Sequence, residues 1–120
     1  MLVYIVDDTK TIRTIIHKIL AKNSYEVIEF DNCEEALEGI RIKKPDIVLT
    51  DLEIPEMGGL ELITRIRAHE KFDDVKIIVV SAEYGMSDIN ACLLRGANQY
   101  ITKPFTETAL LQRINSVLTT

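Results

Sequence analysis

Three runs of this chain are apolar at every position: Leu2-Val-Tyr-Ile-Val6, Ile47-Val-Leu49 and Ile77-Ile-Val-Val80. A strand with one wet face alternates apolar and polar residues, so an unbroken apolar run marks a strand covered on both faces. Between these runs lie segments with helical spacing. Ile12, Ile15, Ile16, Ile19 and Leu20 predict a first helix, with Thr9 or Thr11 available as its cap. Ala36, Leu37 and Ile40 predict a shorter one that ends before Lys44-Pro45, and Leu60, Ile63 and Ile66 a third after Gly58-Gly59. A fourth spans about Ser87 to Arg95, with Ile89, Cys92 and Leu93 on one side, and a fifth carries Leu110, Leu111, Ile114 and Leu118. Two more polar runs, Tyr25 to Phe30 and Gln99 to Thr102, complete five β-α repeats.

Strict alternation of this kind predicts parallel strands joined by right-handed crossovers, with helices on both faces of one sheet. The two polar runs belong at its edges. The expected architecture is a doubly wound, flavodoxin-like (βα)5 fold with strand order 2-1-3-4-5. Its strand order reverses between strands one and three, and open sheets of this type bind ligands at that point, beyond the carboxyl ends of the strands.

At 120 residues the whole chain, 1–120, fits one domain. A net charge of -5 argues against direct nucleic-acid binding, which needs clustered Lys and Arg. Two cysteines, Cys33 and Cys92, lack metal-site spacing and read as reduced, buried thiols. No apolar stretch approaches the ~18 residues of a membrane span, and Met1-Leu2-Val3 has no basic leader, so a cytoplasmic protein is expected.

The strand ends carry the chemistry. Asp7 and Asp8 close the first run, Asp51 closes the third, Ser81 follows the fourth, and Lys103-Pro104 follows the fifth. Taken singly, each is a common turn former or strand terminator. Taken together, four strand ends place three carboxylates, a hydroxyl and an ammonium at one edge. Like charges ~4 Å apart cost about 4 kcal/mol at an effective dielectric near 20, so the acids call for a cation. Oxygen donors without His or Cys at ligand spacing favour Mg²⁺, bound in an open site that a phosphate can share. With Mg²⁺ and Lys103 neutralising phosphoryl oxygens, Asp51 is placed to act as a nucleophile and form an acyl phosphate.

On Asp7-Asp8, Asp51-Leu-Glu-Ile-Pro55 with Met57-Gly-Gly59, Ser81-Ala82 and Tyr100-Ile-Thr-Lys-Pro-Phe105, the chain resembles the receiver domain of two-component response regulators along essentially its whole length. The resemblance implies a signalling switch rather than a turnover enzyme. Asp51 would accept a phosphoryl group from a phosphohistidine on a sensor histidine kinase or a histidine phosphotransfer protein. Asp8, Asp51 and the Glu53 carbonyl would ligate Mg²⁺, with Asp7 acting through water. Lys103 would grip phosphoryl oxygens, and its bond to Pro104 would be cis. On phosphorylation Ser81 would move toward the phosphoryl group and Tyr100 would turn inward. The readout face, formed by helix four, strand five and helix five, would then bind a downstream protein target. Glu53 and Glu83 would tune autodephosphorylation. The expected state is a monomer, with a phosphorylation-dependent dimer as its alternative. Gly58 departs from the acid that many receivers carry there.

Rival readings are an aspartyl-phosphate phosphohydrolase using Asp51 and Glu53, a flavin carrier, which Asp7-Asp8 would disfavour by repelling its phosphate, and a receiver cut from a longer regulator or hybrid kinase. Chemotaxis is one candidate pathway among several. His17, His69, Met57 and Met86 read as surface or core-edge residues without chemistry.

Overall fold

Chain direction and burial in the computed structural model, which describes residues 1–119, follow from the apolar runs. The strands are β1 (Leu2–Val6), β2 (Glu26–Phe30), β3 (Ile47–Thr50), β4 (Lys76–Ser81) and β5 (Gln99–Thr102). The helices are α1 (Lys10–Lys22), α2 (Cys33–Ile42), α3 (Gly59–Arg67), α4 (Met86–Arg95) and α5 (Glu107–Leu118). All strand pairs are parallel and the order is β2-β1-β3-β4-β5. Every residue of β1 and β3 is buried, whereas β2 exposes Glu26 and Glu29 to solvent at one edge.

Side chains of successive strand residues point to opposite faces, so each apolar run feeds two cores. Leu2, Tyr4, Val6, Val48, Ile77 and Val79 pack under α2, α3 and α4 through Ala36, Ile40, Leu62, Ile63, Ile66 and Cys92. Val3, Ile5, Ile47, Leu49, Ile78 and Val80 pack under α1 and α5 through Ile16, Leu20, Leu110 and Ile114. Burying each of these aliphatic side chains contributes roughly 1.5–3 kcal/mol before the chain entropy it must offset. A slip of one residue in any central strand would exchange the two faces without exposing either, so register here leans on strand ends as well as on pattern.

Several expectations shift in detail. Ile15 is 45% exposed and Leu93 44%, although periodicity places both on apolar faces. Each sits at the margin of its stripe, where a helix lying on a flat sheet no longer touches it. Leu62 and Val117 are buried instead. Thr9 is the α1 cap by backbone position, but its side chain makes no capping bond. The β4 ladder runs one residue further than expected and includes Ser81.

A turn of 3-10 helix, Glu70–Phe72, follows α3 and inserts Phe72 into the core. Arg67 organises this end of the molecule. Its guanidinium donates to the carbonyls of Gly96 at 3.0 Å, Phe72 at 3.0 Å and Val75 at 2.8 Å, and to Asn98 Oδ1 at 3.1 Å. Gly96 caps α4 at φ +117°, and a Cβ there would meet the Arg67 side chain at 2.7 Å.

Candidate functional site

The backbone of each site residue is held by the strand next to it. The Asp7 N–H donates to Phe30 O at 3.1 Å, Asp51 N–H to Val6 O at 3.1 Å, and Lys103 N–H to Ser81 O at 2.8 Å. The parallel ladder thus extends one residue past β1, β3 and β5, and aims three polar side chains at the mouth of the sheet.

There one carboxylate oxygen from each of Asp7, Asp8 and Asp51 lies within 4.8 Å of the others. The Lys103 ammonium donates to Asp7 Oδ2 at 2.9 Å and to Asp51 Oδ2 at 3.0 Å. Asp7 Oδ1 accepts from the Thr9 amide at 2.8 Å, and Asp51 Oδ1 from the Leu52 amide at 2.6 Å and the Glu53 amide at 3.3 Å. Side-chain exposure is 3% for Asp7, 12% for Asp51 and 16% for Lys103, so these charges meet in a partly dehydrated setting. Burial alone would lower the Lys103 pKa, but the bonds to Asp7 and Asp51 outweigh it and leave the ammonium above its ordinary value.

One ammonium does not balance three acids. Asp8 stays exposed at the rim, giving the trio an open side. An all-oxygen, incompletely neutralised and open donor set fits a hard divalent cation of the Mg²⁺ type. Among the described residues this trio is also the only group of three His, Cys, Asp or Glu side chains close enough to share an ion.

The remaining groups gather on the loop that leaves β4. Ser81 is buried and its Oγ accepts from the Glu83 amide at 3.1 Å. Tyr100 is 7% exposed, and its hydroxyl donates to the Glu83 carbonyl at 2.6 Å. The ring already points inward, where burial raises the phenol's pKa against the pull of the Ser81 hydroxyl beside it. Glu83 and Glu53 face each other by their carboxyls. Their hydrogen bond, and then their mutual repulsion, push the Glu83 pKa up. The Lys103-Pro104 peptide bond is cis.

The chain matches the family model described as the response regulator receiver domain over residues 3–115. This chain belongs to the response regulator receiver domain family. As a receiver it is 37% identical to the chemotaxis protein CheY homolog of Campylobacter jejuni, covering 100% of this chain and 94% of that one. It is 36% identical to the chemotaxis protein CheY1 of Helicobacter pylori, covering 100% of this chain and 98% of that one. Among solved structures it superposes on the chemotaxis protein CheY4 of Vibrio cholerae with TM-score 0.92 at 26% identity over 97% of both chains. The five-stranded, 2-1-3-4-5 receiver fold expected from the apolar runs is therefore shown, and with it a phosphorylation-activated signalling switch.

Of the residues picked out by strand-end reasoning, the receiver fold brings Asp7, Asp8, Asp51 and Lys103 into one cluster. Ser81 and Tyr100 are tied to each other through Glu83, and Pro104 follows Lys103 in sequence. His17 lies apart, bonded to Glu29 at 2.6 Å, and His69 sits past the end of α3 against Phe72. Two neighbours, Thr50 and Arg13, escaped the sequence reading, and Gly59 was read only as a glycine of the receiver motif. Thr50 is buried and donates its hydroxyl to the Asp51 carbonyl at 2.9 Å. Gly59 lies so near that a Cβ would fall 2.0 Å from the same carbonyl. Arg13 donates to the Asp7 carbonyl. The glycine pair was visible in sequence as a loop; nothing in the periodicity marked Arg13, which counts as an ordinary polar position of α1.

Proposed function

We propose that Asp51 is the phosphoacceptor of this receiver and that Asp8, Asp51 and the Glu53 backbone carbonyl hold Mg²⁺, with Asp7 acting through water. The observation that carries the reading is the convergence of three carboxylates and the Lys103 ammonium at one sheet edge. Bound Mg²⁺ would supply charge neutralisation at the phosphoryl oxygens.

The protein's own residues do the rest. Amides of Leu52 and Glu53 fix the Asp51 carboxylate, leaving lone pairs free for in-line attack on phosphorus. In that step an Asp51 O–P bond forms while the N–P bond of a donor phosphohistidine breaks, and the imidazole leaves with its electron pair. Lys103 passes from the carboxylates to the incoming phosphoryl oxygens. Ser81, turning its hydroxyl to a phosphoryl oxygen, would release the Glu83 amide and loosen the loop to which Tyr100 is also tied. The signal then reaches the face formed by α4, β5 and α5. A groove of about 410 Å³ there is lined by Ile89, Leu93, Tyr100 and Arg113 among others, and receives a downstream protein target. The donor is a sensor histidine kinase or a histidine phosphotransfer protein.

In the reverse direction, water attacks phosphorus and the Asp51 O–P bond breaks to release phosphate. Glu53 and Glu83, facing each other at the entrance, tune that water; an acyl phosphate that decays equally fast in Glu53→Asn removes Glu53 from this role. We read the whole chain, 1–120, as a single receiver unit acting in the cytoplasm, monomeric before phosphorylation, in chemotaxis or a comparable relay. No described helix is long and apolar enough to cross a membrane.

The test is incubation with Mg²⁺ and acetyl phosphate followed by intact mass. Wild type should gain one phosphoryl group, while Asp51→Asn or omission of Mg²⁺ should abolish the gain. Equal modification of Asp51→Asn would overturn the assignment.

A further inference from the structure

Arg13 reaches out of α1 to the peptide that joins Asp7 to Asp8. Its Nη1 donates to the Asp7 carbonyl at 2.6 Å and its Nε to Glu29 Oε1 at 3.2 Å, while the other Glu29 oxygen lies 2.6 Å from His17 Nδ1. The Arg13 side chain is 14% exposed, unlike Arg41, paired with Glu38 at 62% and 61% exposure. Pairs of the second kind contribute little. A withdrawn guanidinium held by a carboxylate on the neighbouring edge strand is a fixed part.

What it fixes is a plane. A peptide unit moves as a rigid plate, so the Asp7 carbonyl, the Asp8 nitrogen and the Asp8 Cα turn together. Just before this plate the Asp7 N–H is pinned to Phe30 O. Arg13 pins its carbonyl edge. The Asp7 carboxylate is steered by Thr9 and Lys103, and that of Asp51 by Leu52, Glu53 and Lys103. The Asp8 carboxylate has no hydrogen-bond or ion-pair partner among the described residues, so its aim depends on the backbone that carries it.

We infer that Arg13 is a positioning residue of the metal site, holding the Asp7–Asp8 peptide so that the Asp8 carboxylate faces the ion, with Glu29 holding Arg13. This rests on the reading that the carboxylate trio takes Mg²⁺. Electrostatics alone predicts the opposite effect of removing Arg13. A nearby cation repels Mg²⁺, so loss of its charge would tighten metal binding, whereas loss of an orienting partner weakens it, typically by about 10- to 100-fold.

The experiment is a calorimetric Mg²⁺ titration without phosphodonor of wild type, Arg13→Met and Arg13→Lys, with circular dichroism as the check on folding. Arg13→Met, which keeps the apolar stem, should bind Mg²⁺ about 10-fold more weakly or worse. Arg13→Lys, with a point charge in place of the fork, should fall between. Equal or tighter binding by folded Arg13→Met overturns the inference. Should Arg13→Met fail to fold, Arg13→Lys decides, because it keeps the charge: several-fold weaker binding supports the role and unchanged binding removes it. A wild type that takes up no Mg²⁺ at millimolar concentration overturns the metal reading itself, and the role of Arg13 falls with it.

Discussion

The Tyr100 hydroxyl donates to the Glu83 carbonyl at 2.6 Å, binding the central side chain of β5 to the loop that leaves β4. Ser81 accepts from the amide of the same residue, so both polar groups of one peptide segment are held from inside the fold. Replacing Tyr100 with Phe keeps the ring and orphans the Glu83 carbonyl. The expected loss is about 1 kcal/mol in urea unfolding, together with faster amide exchange in residues 83–85. Unchanged exchange there would show that the ring alone holds the loop.

Lys103 offsets repulsion among buried acids. Lys103→Met should therefore lower stability by about 3 kcal/mol in metal-free buffer. Millimolar Mg²⁺ should recover part of it, because an ion bound to the folded state alone stabilises by mass action. Denaturation midpoints with and without Mg²⁺ check both halves.

Gly59 opens α3 directly against Asp51. A Cβ at this position would lie 2.0 Å from the Asp51 carbonyl oxygen, and backbone cannot step aside as a flexible side chain can. Gly59→Ala should cost about 1–3 kcal/mol and shift the amide resonances of Leu52 and Glu53, which donate to the Asp51 carboxylate. Gly58, at φ −79°, has ordinary backbone geometry and a looser neighbour at 3.1 Å, so Gly58→Ala should be far milder.

Alkaline solution should destabilise this receiver. Burial, then the charges of Glu34 and Glu61, push the Cys33 thiol up to about 12 from an ordinary value of 9.0. Burial likewise raises Cys92 and Tyr4. A group raised in the folded state gives its full contribution below its unfolded pKa and loses it as pH climbs toward the folded value. For Cys33 the loss starts near pH 9 and amounts to about 1 kcal/mol by about pH 10. Urea midpoints between pH 8 and 10 should fall, less steeply in Cys33→Ala. The same burial predicts that neither cysteine reacts with a thiol reagent in the native protein.

The fold was legible because the signals at each level agreed: unbroken apolar runs, helical spacing between them, and polar edge strands. Asp7, Asp8, Asp51 and Lys103 were legible because a parallel sheet fixes where its strands end, and strand ends can be read from composition. Ile15 and Leu93 were misjudged because spacing gives a direction on a helix but not the width of the surface it meets. Arg67, Arg13 and Thr50 act through backbone carbonyls far away or adjacent, and a carbonyl leaves no trace in residue identity. Phe72 reached the core through a single 3-10 turn, too short for any period to declare it.

The bonds of Arg67 to Gly96 and Asn98 have a consequence for how a signal can travel. They rivet the far end of α4, where Gly96 adopts a backbone conformation that resists replacement. The opposite end begins at Gly85 with no side-chain cap and follows the loop that Ser81 and Tyr100 hold at Glu83. Any displacement of this helix on signalling should therefore be smallest at Gly96 and largest at Met86, a gradient that amide exchange along α4 would read.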